Sequence, residues 1–443
     1  MFTDSIAKKD LLGRREFAQH IAKKLFKSSE IDASGFVTAL TGKWGIGKST
    51  LLSFIEDELH ELCINNPKYK FISFNPWMFA DEADIKKVFL KNLAKGVNEN
   101  KYERVKEKWG NKIAKLVRFI SSLWPGAKEP GNILSDLIEK YCSKNFIQYK
   151  SVIDKKLLDS NLKLFVFIDD IDRLIPKQVF EILQILKLTC NFKNTYYIIA
   201  YDREAVEISI ETQFKDYGRK FLDKIVQADF LIPEAPLEKI EIIFFSEIEK
   251  IRNDFSIVFD SSALSSIWLH RGLKSYFATL RDVYRYINSI RFSLPAIAHE
   301  VDVNDFIILE AIRIYDFEKY EKIYTDYSLK IFSFGVAIEF GTDKYLELIN
   351  NRITRQLVSF LFPQKEYLKK ADKKRLNDPD YFFRYFTLQL TSKDVAEFEL
   401  QKIMLDEERR RELLNTILEQ NRMNNLVVRL NDSNLNLKYK EWN

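Results

Sequence analysis

The sequence predicts an α/β fold built on a mostly parallel sheet and followed by an all-helical region. Three observations predict it. Three of the 13 glycines fall within residues 42–47, at a turn between an apolar strand and a helix. A near-continuous apolar run, Leu162 to Ile168, ends in the paired acids Asp169 and Asp170, the pattern of a strand covered on both faces. Strand-like and helix-like segments alternate up to Pro236, and no strong strand signal follows.

The elements follow in order. The turn Asp10-Leu11-Leu12-Gly13-Arg14 opens an amphipathic helix read over Asp10 to Phe26. Phe36 to Leu40 reads as a buried strand, and Thr50 to Leu62 carries apolar residues at helical spacing. A second strand, Phe71 to Phe74, ends at Asn75-Pro76-Trp77-Met78-Phe79, where Trp77 is read as packing because of its apolar company. Helix-like residues 84–97 lead into a lysine-rich insertion, about 98–160, with a short apolar patch at Leu116 to Trp124 and the breaker run Pro125 to Gly131. After the Leu162 to Ile168 strand, a helix is expected over Gln178 to Leu188 and a strand over Tyr196 to Ala200 that ends at Tyr201-Asp202-Arg203. In such a sheet the ligand site lies at the carboxyl ends of the strands. A boundary is expected near residue 236.

Composition sets limits on function. At 443 residues the chain is long enough for two or three domains, and 46% hydrophobic residues can furnish a sizeable core. The 69 basic residues nearly balance the 64 acidic ones, so the net charge of +5 gives no composition-level case for nucleic acid, and nucleic-acid binding stays open. Cys63, Cys142 and Cys190 are far apart and His20, His60, His270 and His299 do not cluster, which argues against a disulfide framework or structural zinc. No apolar run approaches the roughly 18 to 20 residues of a membrane span, so no integral membrane segment is expected. The residues Met1-Phe2-Thr3-Asp4-Ser5 carry no basic-apolar signal pattern, and a cytoplasmic location is the expectation.

The chemistry concentrates in Gly42-Lys43-Trp44-Gly45-Ile46-Gly47-Lys48-Ser49, which fits the phosphate-cradling pattern GxxxxGK[ST] at every defined position. Glycines let the backbone curl with its N–H groups inward, Lys48 brings a mobile positive charge, and the helix N-terminus adds a partial one. Gly42, Trp44, Gly45, Ile46, Gly47, Lys48, Ser49 and Thr50 are therefore expected to contact a nucleoside triphosphate, with Ser49 also holding Mg²⁺. Splitting a phosphoanhydride further needs a metal carboxylate, a group that orients water, and positive charge for the transition state. Asp169 fits the first role and Asp170 the second.

Several segments together resemble the KAP P-loop NTPases, a STAND-like branch of the additional-strand ATPases. They are Asp10 to Arg14, the loop Gly42 to Ser49, Phe74 to Phe79, Ile168 to Leu174, Ala200 to Arg203, Phe221 to Gln227 and Leu280 to Arg285, in order across residues 10–290. The resemblance implies a P-loop NTPase core over 1–235, a helical lid over 236–300 and a C-terminal helical domain over 301–443. It implies ATP and Mg²⁺ as cofactors, with Gly13, Arg14 and the Pro233 region as walls for adenine. It makes Arg203, with Asp202 beside it, and Arg281 of the lid sensor-like groups near the γ-phosphate. Arg173 and Lys224 are further family-typical charges, and which cation reaches phosphate stays open. Many members carry membrane helices between the two motifs, whereas this insertion is polar and basic, with Lys101 to Arg118 read chiefly as a solvated helix.

The expected activity is that of an ATPase working as a conformational switch, with phage defence as the biology the resemblance implies. The expected partners are ATP, further copies of the chain or co-encoded defence proteins. A non-hydrolysing nucleotide-dependent scaffold and a motor on membrane or nucleic acid are the alternatives.

Overall fold

A computed structural model of the chain describes residues 7, 9–30, 35–64, 66–80, 85, 88, 89, 92, 93, 151, 154, 155, 157–189, 192–213, 218–334, 352–362, 374–390 and 394–430. Of the insertion read over about 98–160, residues 98–150, including Leu116 to Trp124 and Lys101 to Arg118, lie outside the described residues, as does most of the helix read over 84–97. The chain divides into two compact units, Ser5–Glu234 and Ala235–Asn443.

The first unit is built on five parallel strands: β1 (Phe36–Thr41), β2 (Tyr69–Phe74), β3 (Lys163–Ile168), β4 (Thr195–Tyr201) and β5 (Ala228–Leu231). Their order across the sheet is β2-β3-β4-β1-β5, and every pairing is parallel. Successive side chains of a strand point to opposite faces, and both faces here are covered. Leu164, Val166 and Ile168 of β3 join one core with the helices Pro176–Thr189 and Arg203–Glu211, while Phe165 and Phe167 join the other with α1 (Arg15–Glu30) and α2 (Lys48–Leu62). This double cover is why the strand reads as a continuous apolar run rather than an alternating one.

Two boundaries differ from the sequence reading. The first helix starts at Arg15 and ends at Glu30 rather than spanning Asp10 to Phe26. Asp10 accepts the backbone N–H groups of Leu12, Arg14 and Arg15, and Gly13 sits at φ 73, so the chain is locked in a turn until Arg15. Burial raises the Asp10 acid, but these backbone donors outweigh it and leave the carboxyl below its usual range. The strand β5 was not anticipated: it is four residues long at the sheet edge, its burial alternates, and its residues run directly into Pro233.

The second unit is helical throughout its described residues. Its core centres on Trp268, fully buried and stacked on Phe244 at 4.4 Å and Phe277 at 5.4 Å between ring centroids, with Tyr286 beside them. Tyr381, Phe382 and Tyr385 of the aromatic run near 378–386 are buried core residues. Two internal ion pairs brace the same unit, Asp305 with Arg375 at 2.6 Å and Glu300 with Arg384 at 2.6 Å. The helix Leu280–Ser293 begins in a reciprocal capping box between Thr279 and Asp282.

Replacing Trp268 by Ala should cost about 3–5 kcal/mol through the cavity left behind. Chemical denaturation followed by near-ultraviolet circular dichroism should show the helical unit unfolding at clearly lower denaturant, and an unchanged midpoint would contradict the packing described.

Candidate nucleotide-binding site

The site forms where β1, β3 and β4 end. The loop leaves β1 at Gly42, whose backbone N–H donates to the Tyr201 carbonyl at 3.4 Å, and turns through Gly45 at φ 82 and Gly47 at φ 99. Gly47 caps α2 in the left-handed region, which an L side chain enters only with strain. A Cβ there would also lie 2.8 Å from Arg14 Nη1. Trp44 stands on the outside of the loop, 66% exposed, and Thr50 Oγ1 accepts from the Ala7 backbone N–H at 3.4 Å.

Arg14 braces the loop from behind. Its guanidinium donates through Nη1 to the Ile46 carbonyl and through Nη2 to the Pro233 carbonyl at 2.8 Å, so it ties the loop to the chain following β5. Burial lowers its pKa from the usual arginine range, partly countered by Asp10. Gly13 supplies the left-handed turn that delivers Arg14 to this position. The expected wall residues are thus beside the loop, with Arg14 engaged by backbone carbonyls.

Lys48 opens α2 and is buried. Its Nζ donates to the Gly42 carbonyl at 3.1 Å and pairs with Asp172 Oδ2 at 3.1 Å, with side chains only 8% and 9% exposed. Asp172 lies in the short 3-10 turn Ile171–Arg173 after β3. Asp172 Oδ2 also accepts the Asp202 backbone N–H at 3.0 Å, which links the ends of β3 and β4, while Oδ1 has no partner among the described residues. Asp172 was not singled out in the sequence because the two acids before it already fill the expected roles.

Asp169 follows β3 directly and takes a hydrogen bond from the Ser49 side chain. Burial raises its pKa, the charges of Asp170 and Asp172 raise it further, and the Ser49 contact offsets part of this. The phosphate loop and the acid-tipped strand therefore meet at two points, Lys48 with Asp172 and Ser49 with Asp169. A hydroxyl and a carboxylate side by side are hard oxygen donors that suit Mg²⁺, which takes one or two protein ligands and completes its shell with phosphate oxygens and water. No cluster of three or more His, Cys, Asp or Glu positioned to hold a metal occurs among the described residues, so this pair is the fitting place.

Asp170 is only 8% exposed and sits in the left-handed region at φ 56, ψ 32. Such a backbone is uncommon for a residue with a side chain and concentrates at functional positions. Its Oδ1 pairs with Arg173 Nε at 2.8 Å and its Oδ2 accepts from Asn75 Nδ2 at 2.7 Å. Asn75, at the end of β2, also accepts the Trp77 backbone N–H at Oδ1, 3.0 Å away. Trp77 is 49% exposed, and its ring lies 4.9 Å from the Arg173 guanidinium, so its reading as a packing residue is replaced by a contact with a charge.

Arg203 is held by carboxylates on three sides: Glu207 at 2.8 Å, Asp229 at 2.5 Å and Asp223 at 3.0 Å. The hydrogen bond to Glu207 and then the charges of Asp229 and Asp223 outweigh burial and hold it still more firmly protonated than a free arginine. Asp229 in turn accepts from Thr41 Oγ1 at 2.7 Å, so Arg203 reaches the residue before the loop through one acid. Asp202 caps the helix Arg203–Glu211 through the backbone N–H groups of Glu204 and Ala205. Lys224 is exposed, with its carbonyl accepting from Lys187 Nζ at 2.7 Å. Arg281 belongs to the second unit, in the first turn of the helix Leu280–Ser293.

A glycine turn between strand and helix, with its lysine and serine against the acids of another parallel strand, defines a P-loop nucleotide-binding protein. The chain belongs to the KAP family: the model described as KAP family P-loop domain matches residues 14–295. It is similar to the Phage T7 exclusion protein of Escherichia coli (strain K12), 23% identical over 340 residues, covering 69% of this chain and 44% of that protein. The chain thus spans less than half the length of that curated relative. Among solved structures it is similar to the Aeropyrum pernix ORC2 protein, at 14% identity and TM-score 0.35 over 81% of this chain and 98% of that one. It is also similar to domain III of the Thermotoga maritima replication initiation protein DnaA, at 14% identity and TM-score 0.29 over 68% and 90% of the two chains. No helix among the described residues is long and apolar enough to cross a membrane.

Because burial, with Asp170 and Asp172 nearby, makes Asp169 hold its proton more tightly in the folded protein than in the unfolded chain, its contribution to stability is complete below the ordinary aspartate range and is lost as pH rises through its raised pKa. Asp169→Asn should therefore raise the melting temperature of the protein without nucleotide at pH 7, with the gain shrinking as pH falls into the ordinary aspartate range. Differential scanning calorimetry across that range checks it, and a destabilised variant at neutral pH would contradict the assignment.

Proposed function

We propose that this protein binds and hydrolyses ATP in the presence of Mg²⁺ and works as a conformational switch in defence against phage. The observation that carries the reading is the double meeting of loop and strand: Lys48 with Asp172, and the Ser49 hydroxyl with Asp169. That arrangement supports a triphosphate in the loop, with Lys48 and the inward N–H groups on its terminal phosphates. Ser49 and Asp169 would hold the metal, which supplies charge neutralisation between the terminal phosphates. Asp170, one residue beyond, orients the attacking water, and Arg203 and Arg281 are the candidate sensors. Adenine as the base and the wall role of Gly13 and Arg14 rest on the family resemblance. The defence role rests on the similarity to the Phage T7 exclusion protein of Escherichia coli.

The switch follows from ion-pair exchange. A phosphate that takes Lys48 competes with Asp172, and Asp172 is bonded to the Asp202 backbone that opens the next helix. Ligand energy then passes into the ends of β3 and β4, because only interactions that differ between two states can shift their balance. A second reading, a nucleotide-dependent scaffold without turnover, is favoured by one observation: both oxygens of Asp170 are engaged, by Arg173 and Asn75. Phosphate release separates the two.

Lys48→Ala should abolish ATP binding measured by isothermal titration calorimetry. Asp170→Asn should keep binding and lose turnover by a factor of hundreds or more, about 3 kcal/mol or above in activation free energy. Arg203→Ala and Arg281→Ala should each slow phosphate release, and rescue of one of them only by mixing with wild-type protein would place that arginine across a subunit boundary. Absence of phosphate release from the wild type under Mg-ATP would favour the scaffold, and tighter binding of GTP than ATP would overturn the choice of base.

A further inference from the structure

We infer that Trp77 is a positioning residue for Asp170, acting through Arg173 on one side and Asn75 on the other; this rests on the reading of Asp170 as the group that orients water. The geometry is a closed circuit. Trp77 presents its ring to the Arg173 guanidinium at 4.9 Å, and Arg173 Nε reaches Asp170 Oδ1 at 2.8 Å. The Trp77 backbone N–H donates to Asn75 Oδ1 at 3.0 Å, which fixes the amide so that Nδ2 faces Asp170 Oδ2, 2.7 Å away. Both carboxylate oxygens are thus held by groups in contact with residue 77, Arg173 through the indole ring and Asn75 through the backbone N–H, so the side chain itself acts through Arg173.

Nothing else about Trp77 explains an indole at this place. It is half exposed, and its sequence neighbour Met78 is 75% exposed, so it contributes little to the core. Its partner is charged, and a tryptophan face is the most favourable aromatic partner for a guanidinium. Arg173 without that face is a long side chain with rotamer freedom to lose, and an arginine ordered by stacking keeps its planar fork aimed at one carboxylate. Asp170 meanwhile holds an uncommon left-handed backbone that needs surrounding contacts to persist. The circuit supplies those contacts from two directions, and its outer member is the one open to solvent.

Steady-state ATP hydrolysis by purified full-length protein tests this. Trp77→Ala should lower kcat by roughly threefold to thirtyfold with KM for ATP and the melting temperature little changed, and Trp77→Phe should restore most of the loss. Trp77→Ala should add little further loss in an Arg173→Ala or Asp170→Asn background, whereas independent roles would multiply. An unchanged kcat in Trp77→Ala, a loss confined to KM, or multiplicative losses would overturn the inference. A readout free of turnover separates it from the assignment of Asp170. The emission of Trp77, taken as the difference between wild type and Trp77→Phe, should shift on Arg173→Ala and on Asp170→Asn without nucleotide. Shifted emission with normal turnover in Asp170→Asn would sink the water role and leave the circuit standing, and emission indifferent to both substitutions would sink the circuit.

Discussion

The buried pair of Lys48 and Asp172 is the constraint around which the rest of the site is arranged. An ammonium that is 8% exposed would be strongly unfavourable without an opposite charge, and removing one partner of such a pair typically costs about 3–5 kcal/mol. Lys48 is fixed by the start of α2, and Asp172 by the turn after β3, so the pair pins the phosphate loop to a strand two places away in the sheet. The strand between them, β4, joins the same arrangement through the Asp202 backbone N–H on Asp172. Three strand ends are thereby held by one carboxylate oxygen.

The neighbouring charges are settled in the same local way. Asp169 is answered by Ser49, Asp170 by Arg173 and Asn75, and Arg203 by Glu207, Asp223 and Asp229. Arg14 supports the loop through carbonyls rather than through a carboxylate ion pair, and Asp10 is the acid whose charge acts on it behind Gly47. That matters for a polyanion, since a cation held by carbonyl hydrogen bonds adds to the potential of the loop without leaving its place.

Most of the sheet was legible because its strands are covered on both faces. Leu162 to Ile168 and Tyr196 to Ala200 read as strands since burial on both sides demands apolar residues at every position. The glycines at 45 and 47 were legible because positive φ leaves few other choices. The edge strand Ala228–Leu231 was not, because alternating burial over four residues looks like any loop. The start of α1 was misplaced because Asp10 and Gly13 form a turn whose hydrogen bonds run through a side chain, and that leaves no trace in hydrophobic periodicity. Within the site, the sequence could nominate Lys48, Ser49, Asp169 and Asp170 by spacing. It could not pair Lys48 with Asp172, or Arg203 with Asp223 and Asp229, since the choice of one acid among 64 depends on how distant segments fold together.

This local settlement of charge also decides how a ligand could act on the protein. Were Lys48 and Asp170 exposed to water, a triphosphate would displace solvent and little else. On the proposed switch, an incoming phosphate competes with a protein carboxylate, and a contact it makes with Lys48 would loosen the pair that ties the phosphate loop to Asp172 after β3. Binding and rearrangement would then be the same event seen from two sides, because the free energy released at the phosphate would be drawn down by the pair it weakens. On the same proposal, loss of the terminal phosphate would restore Lys48 to Asp172 by the exchange in reverse. A site whose charges were all left unpaired would bind more tightly and switch less, so under this proposal the buried acid after β3 would trade affinity for responsiveness.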